Sequence, residues 1–120
     1  MRTFTLRLAT TLALALAAGQ AFAHAHLEKA TPAVGGTVDP PTEIRLEFSE
    51  GVEPKFCKVT LTAPGGKAIP LGTPKAEGTD GAVLVTPVNG PLASGEYKVH
   101  WRAVSVDSHH TEGSFGFTVK

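Results

Sequence analysis

Apolar and polar residues alternate without a break from Glu43 to Phe48. Ile44, Leu46 and Phe48 project to one side, and Glu43, Arg45 and Glu47 to the other. A period of two marks a strand with one face in the core and a charged face in water. Lys58–Thr62 repeats the pattern and stops at the turn Pro64-Gly65-Gly66. Ile69 and Leu71 suit a short strand, residues 74–80 are polar, 82–86 form an apolar strand, and Asn89-Gly90-Pro91 a turn. Residues 31–41 read as loop, because their Pro residues lack a donor and their Gly residues admit positive φ.

The last third is the most regular. Tyr97, Val99, Trp101, Ala103, Ser105 and Asp107 share one face of a long strand, with Lys98, His100 and Arg102 opposite. A loop over residues 108–113, with Gly113 serving the return, leads to the alternation of Phe115, Phe117 and Val119. There is no sustained helical period, internal repeat or linker. Short strands separated by turns every 8–12 residues or so predict an all-β fold, an immunoglobulin-like antiparallel sandwich or Greek-key β-barrel. Trp101, Tyr97, Phe48, Phe115 and Phe117 are its expected large core members.

Composition narrows this further. The 120 residues include 13 Gly and 9 Pro and fit one turn-rich domain. Eleven Lys and Arg balance eleven Asp and Glu, which argues against a nucleic-acid partner, since a phosphate binder concentrates positive charge. A single Cys excludes an internal disulfide and any Cys-rich metal cluster. Arg2 and Arg7, the apolar run 8–18 and Ala21-Phe22-Ala23 form a secretory signal peptide over residues 1–23. The run is too short to cross about 30 Å of hydrocarbon, and no further apolar run of membrane length follows it, so no membrane insertion is expected of the mature chain. Cleavage leaves a domain over residues 24–120, with nine Lys and Arg against eleven Asp and Glu, a net charge of −2. The expected product is secreted into an oxidising compartment, starts at His24 and contains no Met.

Nucleophile elbows, zincin motifs, P-loops and dinucleotide fingerprints are absent, so no enzyme activity is expected. Histidines carry the remaining chemistry: His24 and His26 at the new terminus, His109 and His110 after Asp107, and His100 alone. Asp107 and His109 stand two apart and project together from an extended chain. The α-amine of His24, with a typical pKa of about 7.7–8.0, yields its proton readily to a cation. With its own imidazole Nδ1 it closes a chelate ring. Adding His109 and Asp107 gives three nitrogens and one oxygen, a set suited to Cu(II). Zinc accepts such donors but favours a tetrahedron. A second arrangement uses the terminus alone: His24-Ala25-His26 can chelate Cu(II) through the amine, two ionised amides and the third imidazole. Cys57 reads as a partly buried residue away from the cluster, His100 as an exposed sheet residue, and Glu50, Glu53 and Glu112 as solvated. Glu112 has a lesser claim as an acceptor behind a ligating imidazole.

The mature start His-Ala-His-Leu-Glu-Lys-Ala-Thr-Pro-Ala, the segments Leu46-Glu-Phe-Ser-Glu50 and Val52-Glu-Pro-Lys-Phe56, and the ending from Trp101 to Val119 with its S-x-D-x-H-x-x-x-G block together resemble the CopC family of periplasmic copper-binding proteins. The resemblance spans essentially the whole mature chain. It implies a Greek-key or immunoglobulin-like β fold and a Cu(II) site at His24, Asp107 and His109. It also implies a role in copper homeostasis or resistance and a CopD-like inner-membrane partner. Many members carry Gly where this chain has Ser108, and Pro where it has His110. Without Met in the mature chain, the Cu(II)-only type is expected. Two rival readings are a copper-dependent oxidative enzyme with an amino-terminal histidine chelate and a metal-free immunoglobulin-like interaction domain.

Overall fold

The computed structural model describes residues 25–120. The expected signal peptide and His24 lie outside the described residues. Among the described residues nine strands form two sheets: β1 (Leu27–Thr31), β2 (Thr37–Val38), β3 (Glu43–Phe48), β4 (Lys58–Thr62), β5 (Ala68–Ile69), β6 (Lys75–Glu77), β7 (Val83–Pro87), β8 (Gly95–Val104) and β9 (His110–Val119). The first sheet has the order β1-β3-β7-β6 and the second β2-β9-β8-β4-β5. All neighbours are antiparallel except β2, which runs parallel to β9. This is the expected all-β sandwich.

Where hydrophobic periodicity is strong, strands form where it places them. β3 and β4 have the expected bounds, and Ile44, Leu46, Phe48, Val59 and Leu61 are buried. β8 buries Tyr97, Val99, Trp101 and Ala103 and exposes Glu96, Lys98, His100 and Arg102. All five expected aromatic core members are buried. Phe48 of one sheet meets Trp101 of the other edge-on, with ring centroids 5.3 Å apart. Tyr97 stacks on Phe117 at 5.7 Å. Such pairs add about 0.5–1.5 kcal/mol each beyond the area they bury.

Three differences bear on the site. First, β6 forms in the polar segment 74–80, for which no strand was expected; all three of its residues are exposed, so it carries no apolar alternation. It pairs with β7 at the sheet edge. Second, β2 forms within the Pro- and Gly-rich tract. Third, β9 begins at His110, so the loop ends four residues sooner than expected. Gly113 lies within β9 opposite Trp101, not in the return. A Cβ there would stand 2.7 Å from the indole ring, so glycine is needed for close approach, not for turning.

Candidate metal centre

The connection from β8 to β9 is a compact turn over residues 105–109. Ser105 closes it twice: its N–H donates to the His109 carbonyl (2.8 Å), and its own carbonyl accepts from Ser108 N–H (2.9 Å). Ser108 adopts φ +72°, the left-handed region that a β-carbon disfavours. The turn, and not an extended strand as the parity argument assumed, brings Asp107 and His109 together. His109 Nδ1 lies 3.2 Å from Asp107 Oδ2. The carboxylate's other oxygen accepts the Ser105 hydroxyl and, at 3.4 Å, the His109 N–H. These contacts, the Ser105 hydroxyl foremost, hold the Asp107 carboxyl below its ordinary range. It is therefore anionic at neutral pH, as a metal donor must be. The Asp107 side chain is one-third exposed (33%) and that of His109 more so (59%), leaving the pair open to exchange with solvent.

Two further segments are tied to this turn. Val52 bridges Ser105, Val106 N–H donates to the Gly51 carbonyl (3.1 Å) and Glu53 N–H to that of Val104 (2.8 Å). Gly51 is hemmed in: a Cβ would fall 2.4 Å from the Asp80 carbonyl oxygen. The start of the described chain reaches the same end of the sandwich. Thr111, two residues beyond His109, donates its hydroxyl to the Ala25 carbonyl at 2.8 Å. Ala25 is buried. His26 N–H donates to Ser49 Oγ and its carbonyl accepts from Ser49 N–H, both at 2.8 Å.

Asp107 and His109 are thus brought together, whereas His24 lies outside the described residues. Among those residues no group of three or more His, Cys, Asp or Glu side chains is arranged to hold a metal. Glu112 does not back the pair: it projects from the outer sheet face toward His100, with 4.0 Å between Nε2 and Oε2. Glu50, expected to be solvated, has Oε1 buried without a hydrogen-bond partner among the described residues. Cys57 is half-buried and accepts Val104 N–H on its sulfur (3.4 Å); burial pushes its thiol pKa up despite that bond, so it stays protonated at neutral pH. Sequence reasoning passed over the Ser105 hydroxyl and Thr111. Parity put Ser105 on the inner face, but no local pattern links Thr111 to a residue at the other end of the chain. An open concavity of about 650 Å³ lies at the far end of the β8–β9 hairpin, lined by Glu96, Lys98, Gly116 and Thr118, and includes neither Asp107 nor His109.

Comparison with known proteins places the chain in context. The model of the CopC domain family matches residues 27–120. Copper resistance protein C of Xanthomonas campestris pv. juglandis is 36% identical over 114 residues, covering 91% of this chain and 90% of that protein. The crystal structure of PcoC, a methionine-rich copper resistance protein from Escherichia coli, matches with TM-score 0.71 and 35% identity over 82% of this chain and 100% of that one. CopC from Methylosinus trichosporium OB3b gives TM-score 0.74 and 30% identity over 81% and 94%.

Proposed function

This chain belongs to the CopC family, and from that premise we propose that it handles copper in resistance or homeostasis. In this reading the secreted, processed protein binds one Cu(II) in the periplasm and buffers or delivers it. The donors are the amine and imidazole of His24, the Asp107 carboxylate and the His109 imidazole. The delivery partner would be a CopD-like protein of the inner membrane. No catalytic step is assigned: the fourth donor is an anion that occupies a coordination position.

The observation that carries this reading is the Thr111–Ala25 hydrogen bond, which ties the chain start to the strand that leaves the Asp107–His109 turn. Residue 24 is one peptide from Ala25, and consecutive Cα atoms stand about 3.8 Å apart. The pair also fits the cargo. Bonds of about 2.0–2.1 Å to one ion place neighbouring donors about 2.8–3.0 Å apart in a square plane and about 3.3–3.4 Å apart in a tetrahedron, and Asp107 and His109 stand at 3.2 Å, within a small adjustment of either. Glu50 follows Ser49, the partner of His26, and its buried Oε1 has no hydrogen-bond partner among the described residues. PcoC is methionine-rich, whereas the single Met of this chain is Met1 in the expected leader. That contrast supports the Cu(II)-only type. The terminal tripeptide arrangement is disfavoured, because the His26 amide it must ionise already donates to Ser49.

The test is a competition titration with Cu(II), read with EPR, on secreted protein whose first residue has been verified by mass spectrometry. Asp107→Ala combined with His109→Ala is expected to weaken binding by more than about 100-fold, beyond the usual loss from an outer-shell contact. A residue added before His24 should do the same, and His26→Ala should not. Loss through His26→Ala alone would give the site to the tripeptide.

A further inference from the structure

Only two polar side chains stand among the fully buried residues described, Ser105 and Thr86, each 1% exposed. Their hydroxyls differ in what they do. That of Thr86 has no hydrogen-bond partner among the described residues. That of Ser105 reaches Asp107 Oδ1 and lies 3.1 Å from the His109 carbonyl. The two carboxylate oxygens of Asp107 therefore face different groups. Oδ1 is held inward by Ser105 and by His109 N–H. Oδ2 points outward to the His109 imidazole. Rotation about the Cβ–Cγ bond of an aspartate is intrinsically soft, so the buried hydroxyl, together with His109 N–H, fixes which oxygen faces out.

We propose that Ser105 is the positioning residue of the metal centre: it holds Asp107 as a one-oxygen donor and thereby favours Cu(II) over cations that take more oxygen ligands or a tetrahedron. This rests on the reading of Asp107 and His109 as ligands. One carboxylate oxygen among nitrogens suits the tetragonal preference of Cu(II). A carboxylate free to turn can place both oxygens on the ion. That raises the oxygen count, which serves harder cations, and blurs the planar set. The anchor suits this role because Ser105 belongs to the core while its partner oxygen belongs to the exposed turn. The turn can thus exchange ligands with solvent without losing the orientation of its carboxylate.

The experiment uses the secreted chain, first residue verified, as wild type and as Ser105→Ala, Ser105→Thr, Thr86→Val and the Asp107→Ala/His109→Ala double variant. Cu(II) and Zn(II) affinities are measured by competition and the cupric site by EPR. Ser105→Ala is expected to lose about 10- to 100-fold in Cu(II) affinity, the usual range for an outer-shell partner. Its EPR parameters should shift, and its Zn(II) affinity should fall less, so that the preference for copper narrows. Ser105→Thr, which keeps the hydroxyl, should restore the spectrum, and Thr86→Val should leave both affinities at the wild-type level. Wild-type affinity and spectrum in Ser105→Ala overturn the proposal, as does a loss that Ser105→Thr fails to restore. Should Ser105→Ala not fold, a crystal structure of the copper-loaded wild type decides: Asp107 bound through one oxygen with the other on Ser105 supports the proposal, and both oxygens on the metal overturn it. If the double variant binds copper as tightly as wild type, the ligand reading falls and takes this proposal with it. If it does not, and Ser105→Ala behaves as wild type, only this proposal falls.

Discussion

At the turn that carries Asp107 and His109, one backbone angle decides how much the turn itself costs. Ser108 holds φ +72° without being glycine. A side chain in that region costs about 1–2 kcal/mol, while glycine would add about 0.5–1 kcal/mol of chain entropy to lose. Ser108→Gly is therefore expected to leave stability unchanged or raise it by up to about 1 kcal/mol, measured by urea denaturation. A fall of more than 1 kcal/mol or so would mean that the Ser108 side chain contributes a contact. The same position shows what was legible at this scale. The D-x-H spacing identified two residues that do meet, but through a turn that an alternation argument does not describe. The resemblance marked Ser108 as standing where many members carry Gly, and the left-handed backbone found here is one that glycine adopts without strain.

The β8–β9 hairpin connects the core to the turn. Its registers run Trp101 opposite Gly113, Arg102 opposite Glu112, Ala103 opposite Thr111 and Val104 opposite His110. The indole covers Gly113 so closely that one added methyl has to displace the ring or the strand. Gly113→Ala is expected to destabilise the protein by about 1–3 kcal/mol through overpacking, with a shift in Trp101 emission that a distant surface substitution does not produce. Urea titration followed by fluorescence reads both; an unchanged midpoint would show that the ring has room to move. Elements with a buried face were readable because burial imposes the period: β3 and β4 match residue for residue. β6 and β2 were not, because the exposed Lys75-Ala76-Glu77 and the two-residue Thr37–Val38 are held at sheet edges by backbone pairing. Backbone pairing leaves no trace in side-chain pattern. Gly113 was misassigned for a related reason: glycine signals a turn in sequence, but here it makes room for an aromatic ring across the strand pair.

For the molecule as a whole, the functional question is which protons leave when Cu(II) enters, and the answer separates the two terminal chemistries. No local pattern brings Ala25 beside Thr111, 86 residues away; that juxtaposition is a product of the complete sandwich. In the site proposed on it, the donors that must give up a proton to bind are the amine and imidazole of His24 and the imidazole of His109. Asp107 adds none there. Its pKa is depressed in the fold, so it is already anionic, and the stability it contributes is present above the ordinary value of about 3.9 and lost only as pH falls through its lower folded value. Cu(II) affinity is therefore expected to rise with pH while these donors shed their protons and to level off above about pH 8.5, beyond the ordinary range of an α-amine. The terminal tripeptide instead ionises two backbone amides on binding, so its affinity keeps climbing with a slope near two at that pH. Competition titrations of the secreted chain at intervals from about pH 5 to 9.5 distinguish the two. A plateau above pH 8.5 or so supports the folded site, whereas a continued rise means that copper is held by the chain end alone and that the sandwich merely carries it.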